Sequence, residues 1–370
     1  MKVIIRKATY EGVKPVIEKI LDAFPIEWEG KKVLVKPNIL GPWKAEKGVT
    51  THPSVVGAIV GYLKDRGAVV WVGDNPGILG YADNEKSARV SGIIGAARGC
   101  YINLGKDPVK AGIESKYLNG ITISRQIPEC DILISVPKFK THALTMITGA
   151  VKNSYGFIIG AEKVLLHAKA AALLKFSEAV VDIYQLRPPD ISVMDAIVCM
   201  DGKGPSGGGL IEAGKILASD NAVALDAVMA SMMGVKPRDI PMLRIAGERG
   251  LGEIDVSKIE IDGPLEVIDG FRMPQTFAGG IIGSLINRFV FPLLRAKPAF
   301  DSRRCTKCRA CLEVCPVKAI SWDDGPVLDR RKCISCFCCM ESCLFDAIGL
   351  GGFLYKLRDA LTGKITGETG

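Results

Sequence analysis

Residues 131–142 read Asp-Ile-Leu-Ile-Ser-Val-Pro-Lys-Phe-Lys-Thr-His. The first six form a short apolar run suited to a buried strand, and Pro137 ends it. The next five residues are mostly polar. Lys138 and Lys140 lie two apart, so on an extended backbone they share a face, and His142 comes next. A buried strand that delivers charged residues at its carboxyl end is the unit from which an open α/β sheet builds a ligand site.

Outward from this stretch the same unit recurs. Runs at 2–7, 31–36, 69–72, 191–198, 216–219 and 258–262 have strand character, and 13–24, 53–66, 83–98, 168–186 and 221–233 have helical spacing. Pro53 at a first helical turn and Gly67 beyond the end bracket one helix. Strands alternating with helices predict βαβ units, hence an α/β fold with a doubly wound, mostly parallel sheet over residues 1–263. The polar motifs fall at strand ends: Lys36-Pro37-Asn38, Gly73-Asp74, Pro137 to His142, and the glycine-rich stretch from Asp201 through Gly204 to Gly209.

These residue types suggest a chemistry. Lys138 and Lys140, with His142 and Lys152, make a cationic grip suited to a phosphate or carboxylate. The candidate catalytic residues are Lys138, Lys140 and His142, and the candidate ligand-holding residues are Lys36, Asn38, Asp74, Lys152, Asn153, Asp201 and Gly204. Each lysine alone also reads as a solvated surface charge. His142 reads either as a proton donor in a reduction or as a structural hydrogen-bonding group. Asp74, Asp201 and Asp226 read as Mg²⁺ ligands beside a bound phosphate or as caps of helices and turns. The backbone N–H groups of 202–209 suit an anion. The stretch matches neither G-x-x-x-x-G-K-[ST] nor G-x-G-x-x-G, so no motif points to ATP or NAD.

Together Lys36-Pro37-Asn38, Thr51-His52-Pro53, Gly73-Asp74, Pro137-Lys138-x-Lys140-Thr141-His142, Gly149-x2-Lys152-Asn153-x2-Gly156 and Asp201-Gly-x-Gly-Pro resemble the family named domain of unknown function 362, across nearly all of residues 1–263. The resemblance implies a fold and an association with iron–sulfur segments, and no particular reaction.

Nine of the twelve cysteines lie between residues 305 and 343. Eight form two copies of one spacing: Cys305-x2-Cys308-x2-Cys311-x3-Cys315-Pro316 and Cys333-x2-Cys336-x2-Cys339-x3-Cys343-Leu344, an internal repeat offset by 28 residues. Zinc sites usually use two C-x2-C pairs with a longer insert, and disulfides do not suit a reducing compartment. Residues 301–350 resemble a bacterial two-cluster ferredoxin. That resemblance implies a small α+β domain with two 4Fe-4S clusters, one on Cys305, Cys308, Cys311 and Cys343, the other on Cys333, Cys336, Cys339 and Cys315. Cys338 breaks the spacing and reads as a spare thiol. Leu344 replaces the second proline without removing a ligand. Cys100, Cys130 and Cys199 read as small buried hydrophobes.

The net charge is +8, of which residues 301–350 carry +1. Lys and Arg are scattered, with no basic run and little aromatic interleaving, which argues against nucleic acid. An anionic small molecule or an acidic protein is the better partner. The opening Met1-Lys2-Val3-Ile4-Ile5-Arg6-Lys7 does not read as a signal peptide. The apolar stretch 279–294 is interrupted by Asn287, Arg288 and Pro292 and falls short of the roughly 18–20 residues of a membrane span. A cytoplasmic, anaerobic setting is expected. Residues 264–300 read as a connector, with 279–294 as a helix packed between domains; residues 351–370 read as a short helix and tail.

Two functions are expected from these readings. One is an electron carrier whose clusters serve a redox partner protein, a ferredoxin or an oxidoreductase, while the α/β domain binds an anionic ligand or docks that partner. The other is a reductase acting on a phosphate- or carboxylate-bearing small molecule at the strand ends.

Overall fold

The computed structural model describes residues 1–76, 84–159, 162–170, 172–274, 297–334, 337–341, 343, 345 and 347–351. The expected helices at 279–294 and 353–361, and Cys336, lie outside the described residues.

Among the described residues eleven strands precede residue 263: β1 (Lys2–Lys7), β2 (Lys32–Pro37), β3 (Val69–Val72), β4 (Pro108–Ala111), β5 (Ile121–Ser124), β6 (Ile132–Val136), β7 (Lys138–His142), β8 (Met146–Ile147), β9 (Ile191–Asp201), β10 (Gly209–Ser219) and β11 (Glu260–Asp262). Nine form one sheet in the order β11-β1-β10-β9-β6-β2-β3, with β7 also beside β9 and β8 paired to β7. Within that order only β10 runs against its neighbours, because a tight turn returns it antiparallel along β9. Strands β4 and β5 pair as a separate antiparallel ribbon. The sheet is therefore mostly parallel, as the alternating pattern predicts.

Period-two alternation divides the buried residues between two faces. Leu34, Leu133, Met194 and Leu217 point into one core, with the helices Leu173–Leu186 and Ala222–Met232. Val33, Val35, Ile134 and Val193 point into the other, with Val13–Asp22 and Pro53–Asp65. Helices start where their caps allow: His52 Nδ1 accepts from Ser54 N–H at 3.2 Å, and Asn221 Oδ1 accepts from Ala224 N–H at 2.9 Å. The helix expected over 83–98 is broken into Asn84–Val90 and Ile93–Ala96. Gly92, at φ +79°, takes the left-handed turn between them.

The β2-to-β3 connection carries its helix Pro53–Asp65 on one face, and the β6-to-β9 connection carries Leu173–Leu186 on the other. Since β2 and β6 are neighbours, the connections diverge at their carboxyl ends. An open α/β sheet forms its crevice at such a point.

The cysteine-bearing segment is a small α+β unit. Strands β12 (Lys297–Phe300) and β15 (Ile348–Gly351) pair antiparallel, as do β13 (Ile320–Trp322) and β14 (Pro326–Leu328). Short helices cover Ala310–Glu313 and Cys338–Glu341. Its buried cluster of Cys311, Ile320, Phe337, Cys339, Met340 and Ile348 also includes Ala143, the residue after β7. The unit thus packs against the carboxyl end of the sheet.

Candidate functional site

At the crevice, Lys36 is carried by the last turn of β2 and is buried. Its Nζ lies 2.7 Å from Asp74 Oδ1 and donates to Asn153 Oδ1 at 3.1 Å. Asp74 Oδ2 accepts from Ile39 N–H at 2.8 Å, and Asn153 Nδ2 donates to Ser135 Oγ at 2.9 Å, tying β2 to β6. Burial pulls the Lys36 ammonium below its ordinary range, and Asp74 opposes that pull. Gly156 closes the cell: a Cβ there would collide with Asp74 Oδ1 and Lys36 Nζ. Beside it is Lys163, which the sequence reading missed. Its Nζ donates to the carbonyls of Asn75 at 2.5 Å and Pro76 at 2.9 Å. Lys152 is half-buried, with Nζ 5.6 Å from the centre of the Tyr155 ring.

Lys138 and Lys140 are brought to the opposite face. Phe139 enters the same core as Leu34, so its neighbours on β7 face away from Lys36. Lys138 Nζ lies 2.7 Å from Asp195 Oδ2 and donates to the Tyr10 hydroxyl at 2.9 Å. Asp195 also accepts from His52 N–H at 2.9 Å, and Tyr10 stacks on His52 with centroids 3.6 Å apart. Burial, then Asp195, raises the Tyr10 pKa strongly, so the hydroxyl stays protonated. Lys140 Nζ donates to Val49 carbonyl at 2.5 Å. Asp195 and Tyr10 were also missed, although a carboxylate inside the apolar run 191–198 signals a buried partner.

His142 is buried, and its Nδ1 accepts from the N–H groups of Leu144 and Thr145 at 3.1 and 3.3 Å. In the neutral ring the proton is then on Nε2. Thr141 Oγ1 accepts from Gly204 N–H at 3.2 Å, and Gly202 N–H donates to Arg272 carbonyl at 2.7 Å. These two N–H groups of the glycine-rich turn are therefore engaged within the chain. Asp201 takes Arg272 in a fork, 2.7 Å to Nε and 2.8 Å to Nη2. Asp226 caps the helix Gly149–Asn153 by accepting from Ala150 and Val151 N–H at 2.6 and 2.9 Å, and burial pushes its pKa up to about 7. Among the described residues of the α/β region no three His, Cys, Asp or Glu side chains gather about one metal position. Asp74, Asp201 and Asp226 serve a lysine, an arginine and a helix terminus instead.

Asn38 N–H donates to Thr51 Oγ1 at 2.9 Å, and Thr51 Oγ1 donates to Val136 carbonyl at 2.6 Å. Asn38 Oδ1 and Thr50 Oγ1 are buried without a hydrogen bond among the described residues. A separate cavity lies elsewhere, lined by Gly112, Lys116, Glu178, Asp182 and Arg249. Arg249 there pairs with Asp182 at 2.7 Å and Lys116 with Glu178 at 2.8 Å, and the cavity meets none of the buried lysines.

In the small unit, Cys305, Cys308, Cys311 and Cys343 line one pocket, and Cys315, Cys333 and Cys339 line a second together with Cys338. The fourth cysteine of each spacing thus faces the pocket of the other copy. The Cys311 thiol is pushed up to about 11 by burial and by Cys305 and Cys308, with Cys343 adding to it. Ala319 N–H donates to Cys315 Sγ at 3.1 Å and Ala347 N–H to Cys343 Sγ at 3.2 Å, one bond repeated in both copies. Left-handed backbone recurs too, at Arg309 (φ +63°) and at its repeat partner Phe337 (φ +60°). Thiols spread around a pocket, with N–H groups aimed at sulfur, suit a multi-iron cluster better than a single tetrahedral ion.

A profile described as 4Fe-4S dicluster domain matches residues 304–347. A thylakoid-associated protein of Synechocystis sp. is 28% identical over 266 residues, 66% of this chain and 77% of that protein. Among solved structures, the lactate racemase apoprotein of Thermoanaerobacterium thermosaccharolyticum superposes with TM-score 0.40 and 11% identity, covering 63% of this chain and 56% of that one. A Thermotoga maritima protein gives TM-score 0.35 and 15% identity, covering 52% and 51%. The matches thus span about half of those solved chains. A profile described as Domain of unknown function (DUF362) matches residues 33–231, more than half of the sequence, and the chain belongs to that family.

Proposed function

We propose that this chain is an iron–sulfur electron-transfer protein carrying two 4Fe-4S clusters and serving a redox partner protein, with an α/β domain that binds an anionic ligand or docks the partner. The observation that carries this reading is the exchange of Cys343 and Cys315 between two thiol-lined pockets. Cys305, Cys308, Cys311 and Cys343 would hold one cluster; Cys333, Cys336, Cys339 and Cys315 would hold the other. When bound, each cluster gives or takes a single electron at low potential, with no bond made or broken in the chain. The protein's part is to keep the thiols at fixed spacing, exclude water and aim N–H groups at sulfur.

A second reading, reduction of a phosphate- or carboxylate-bearing small molecule, is favoured by the burial of Ala143 with Cys311 and Cys339. That contact sets the iron–sulfur segment against the end of β7, next to His142. The buried Asn38 Oδ1 and Thr50 Oγ1 are polar groups that a small ligand would satisfy. The α/β domain would supply Lys36, Asp74 and Asn153 around it, with His142 at the end of β7. A cytoplasmic setting is part of the proposal, since thiolate ligands need a reducing compartment. Among the described residues no helix is long and apolar enough to cross a membrane.

Anaerobic reconstitution with iron and sulfide counting tests the first reading. About eight irons per chain and spin-coupled EPR signals on reduction are expected. Four irons or fewer, or zinc in their place, would overturn it.

A further inference from the structure

The two copies of the cysteine repeat are not dressed alike. Both carry an acidic residue followed by exposed cations: Asp301 with Arg303 and Arg304, and Asp329 with Arg330, Arg331 and Lys332. Asp301 pairs with Arg304 and Asp329 with Lys332 at the same spacing. Inside the loops they diverge. Where the first copy has Lys307 and Arg309, the second has Ser335 and Phe337. Arg309 and Phe337 share a left-handed backbone conformation, so the loop path is alike and only the side chain differs. Phe337 is 5% exposed and packs in the cluster that includes Ala143. Arg309 is exposed and holds its guanidinium 5.0 Å from the centre of the Trp322 ring.

The rest of the first copy also faces outward. Cys308 is exposed, while Cys311 and its repeat partner Cys339 are both buried. Phe345, on the rim of the first pocket, is 45% exposed; its repeat partner Val317 lines the second pocket and is half-buried. An exposed aromatic residue flanked by arginine and lysine is the composition of a protein-binding hot spot, not of an ordinary solvated face. Lys307, Arg309, Arg303 and Arg304 make the stretch 301–309 basic, with Asp301 its single acid; Lys307 also pairs with Asp324 at 2.7 Å, leaving Arg309 as the cation beside Trp322.

We propose that the first-copy face, built from Lys307, Arg309 and Phe345 around Cys308, is the docking surface for an acidic one-electron carrier protein, while the second copy is turned inward against the α/β domain. The proposal rests on the iron–sulfur reading above and adds the face and the charge of the partner. Charge complementarity chooses the occupant, since cations ringing an exposed redox site steer and orient a negatively charged carrier.

The repeat supplies its own control. The full-length, iron-loaded protein is titrated calorimetrically at low salt with two acidic probes, a bacterial two-cluster ferredoxin and a flavodoxin. Lys307→Glu with Arg309→Glu should weaken binding by about tenfold or more, and Phe345→Ala by a similar factor. Arg331→Glu with Lys332→Glu, the same change of charge on the second copy, should leave the affinity within about twofold. Equal losses from both charge reversals would overturn the proposal. So would failure of the unmodified protein to bind either probe more tightly than about 0.1 mM. Iron content and reduction by methyl viologen, measured on every variant, separate the two levels. Full iron with unaltered binding refutes only the docking face; missing iron in the unmodified protein refutes the reading beneath it.

Discussion

The α/β region and the cysteine-bearing unit treat charge in opposite ways. In the first, the pair Lys36–Asp74 has side chains 1% and 2% exposed, and Lys138–Asp195 is buried to the same degree. In the second, Lys307 and Asp324 form a pair at the same 2.7 Å separation, but their side chains are 56% and 92% exposed. The apolar content differs in the same direction. Two extensive cores flank the large sheet, whereas the small unit has one compact cluster that borrows Ala143. The large region can hold ammonium groups inside because its own packing is sufficient. A small unit cannot do so, and a cluster bound by its cysteines would supply stability that its core does not provide.

The largest expected effect comes from removing that metal. Stripping iron from the loaded protein with a chelator should release residues 297–351 while leaving the sheet intact. Trypsin should then cut at Arg303, Lys307 and Lys318 at least about a hundredfold faster than before, with the large region surviving as a fragment. Mass spectrometry of the digest reads this directly. Equal resistance of both regions in the stripped protein would erase the contrast between them.

Next in size is the removal of one partner from a buried pair. Asp74→Ala leaves Lys36 without its counter-ion and should cost about 3–5 kcal/mol in urea denaturation. Lys36→Met with Asp74→Ala should recover part of that loss, because no charge is then left inside. Asp324→Ala, which opens the exposed pair at the same separation, should leave the midpoint where it was. Gly156→Ala comes after these. Its Cβ enters the space held by Asp74 and Lys36, and the displacement should cost about 1–3 kcal/mol.

The same contrast explains how legible each region was in sequence. The small unit declares itself because metal ligation constrains spacing: the cysteine repeat and its resemblance to a two-cluster ferredoxin pointed to an iron–sulfur domain, and a 4Fe-4S dicluster profile matches residues 304–347. The α/β class was legible too, since strand and helix periods differ, and Lys36 and Asp74 were read at the ends of two separate strands, with Asn153 among the ligand-holding candidates. What could not be read was the side of the sheet. Lys138 and Lys140 were grouped with Lys36 by their position after strands. Yet Pro137 and the pairing of β7 along β9 turn them to the opposite face, where Asp195 and Tyr10 receive Lys138. Lys163 was invisible for a different reason. It sits on the short helix Glu162–Lys169, and only the tertiary approach of Asn75 and Pro76 makes its ammonium a buried one.

Lys163 also probes how the large region treats charge, through the smallest of these effects, a slope in pH. Its ammonium is 3% exposed, and burial pulls its pKa from the usual 10.5 down to about 7, with Asp74 opposing and Lys36 and Lys152 adding to the pull. Between those two values the unfolded chain holds a proton on Lys163 that the folded chain has released. Stability contributed by this group must therefore rise with pH across that window, and the burial penalty is complete only below it. Lys163→Met removes the titration. The stability of the unmodified protein relative to that variant should climb between pH 7 and 9, by at most about 1.4 kcal/mol per pH unit. Urea denaturation of both proteins at several pH values measures the difference. A flat difference would mean that Lys163 stays charged in the folded state, held by two main-chain carbonyls without a full counter-ion of its own. The α/β region would then bury an ammonium beyond the carboxylate-paired Lys36 and Lys138, and its tolerance for internal charge would exceed what paired carboxylates explain.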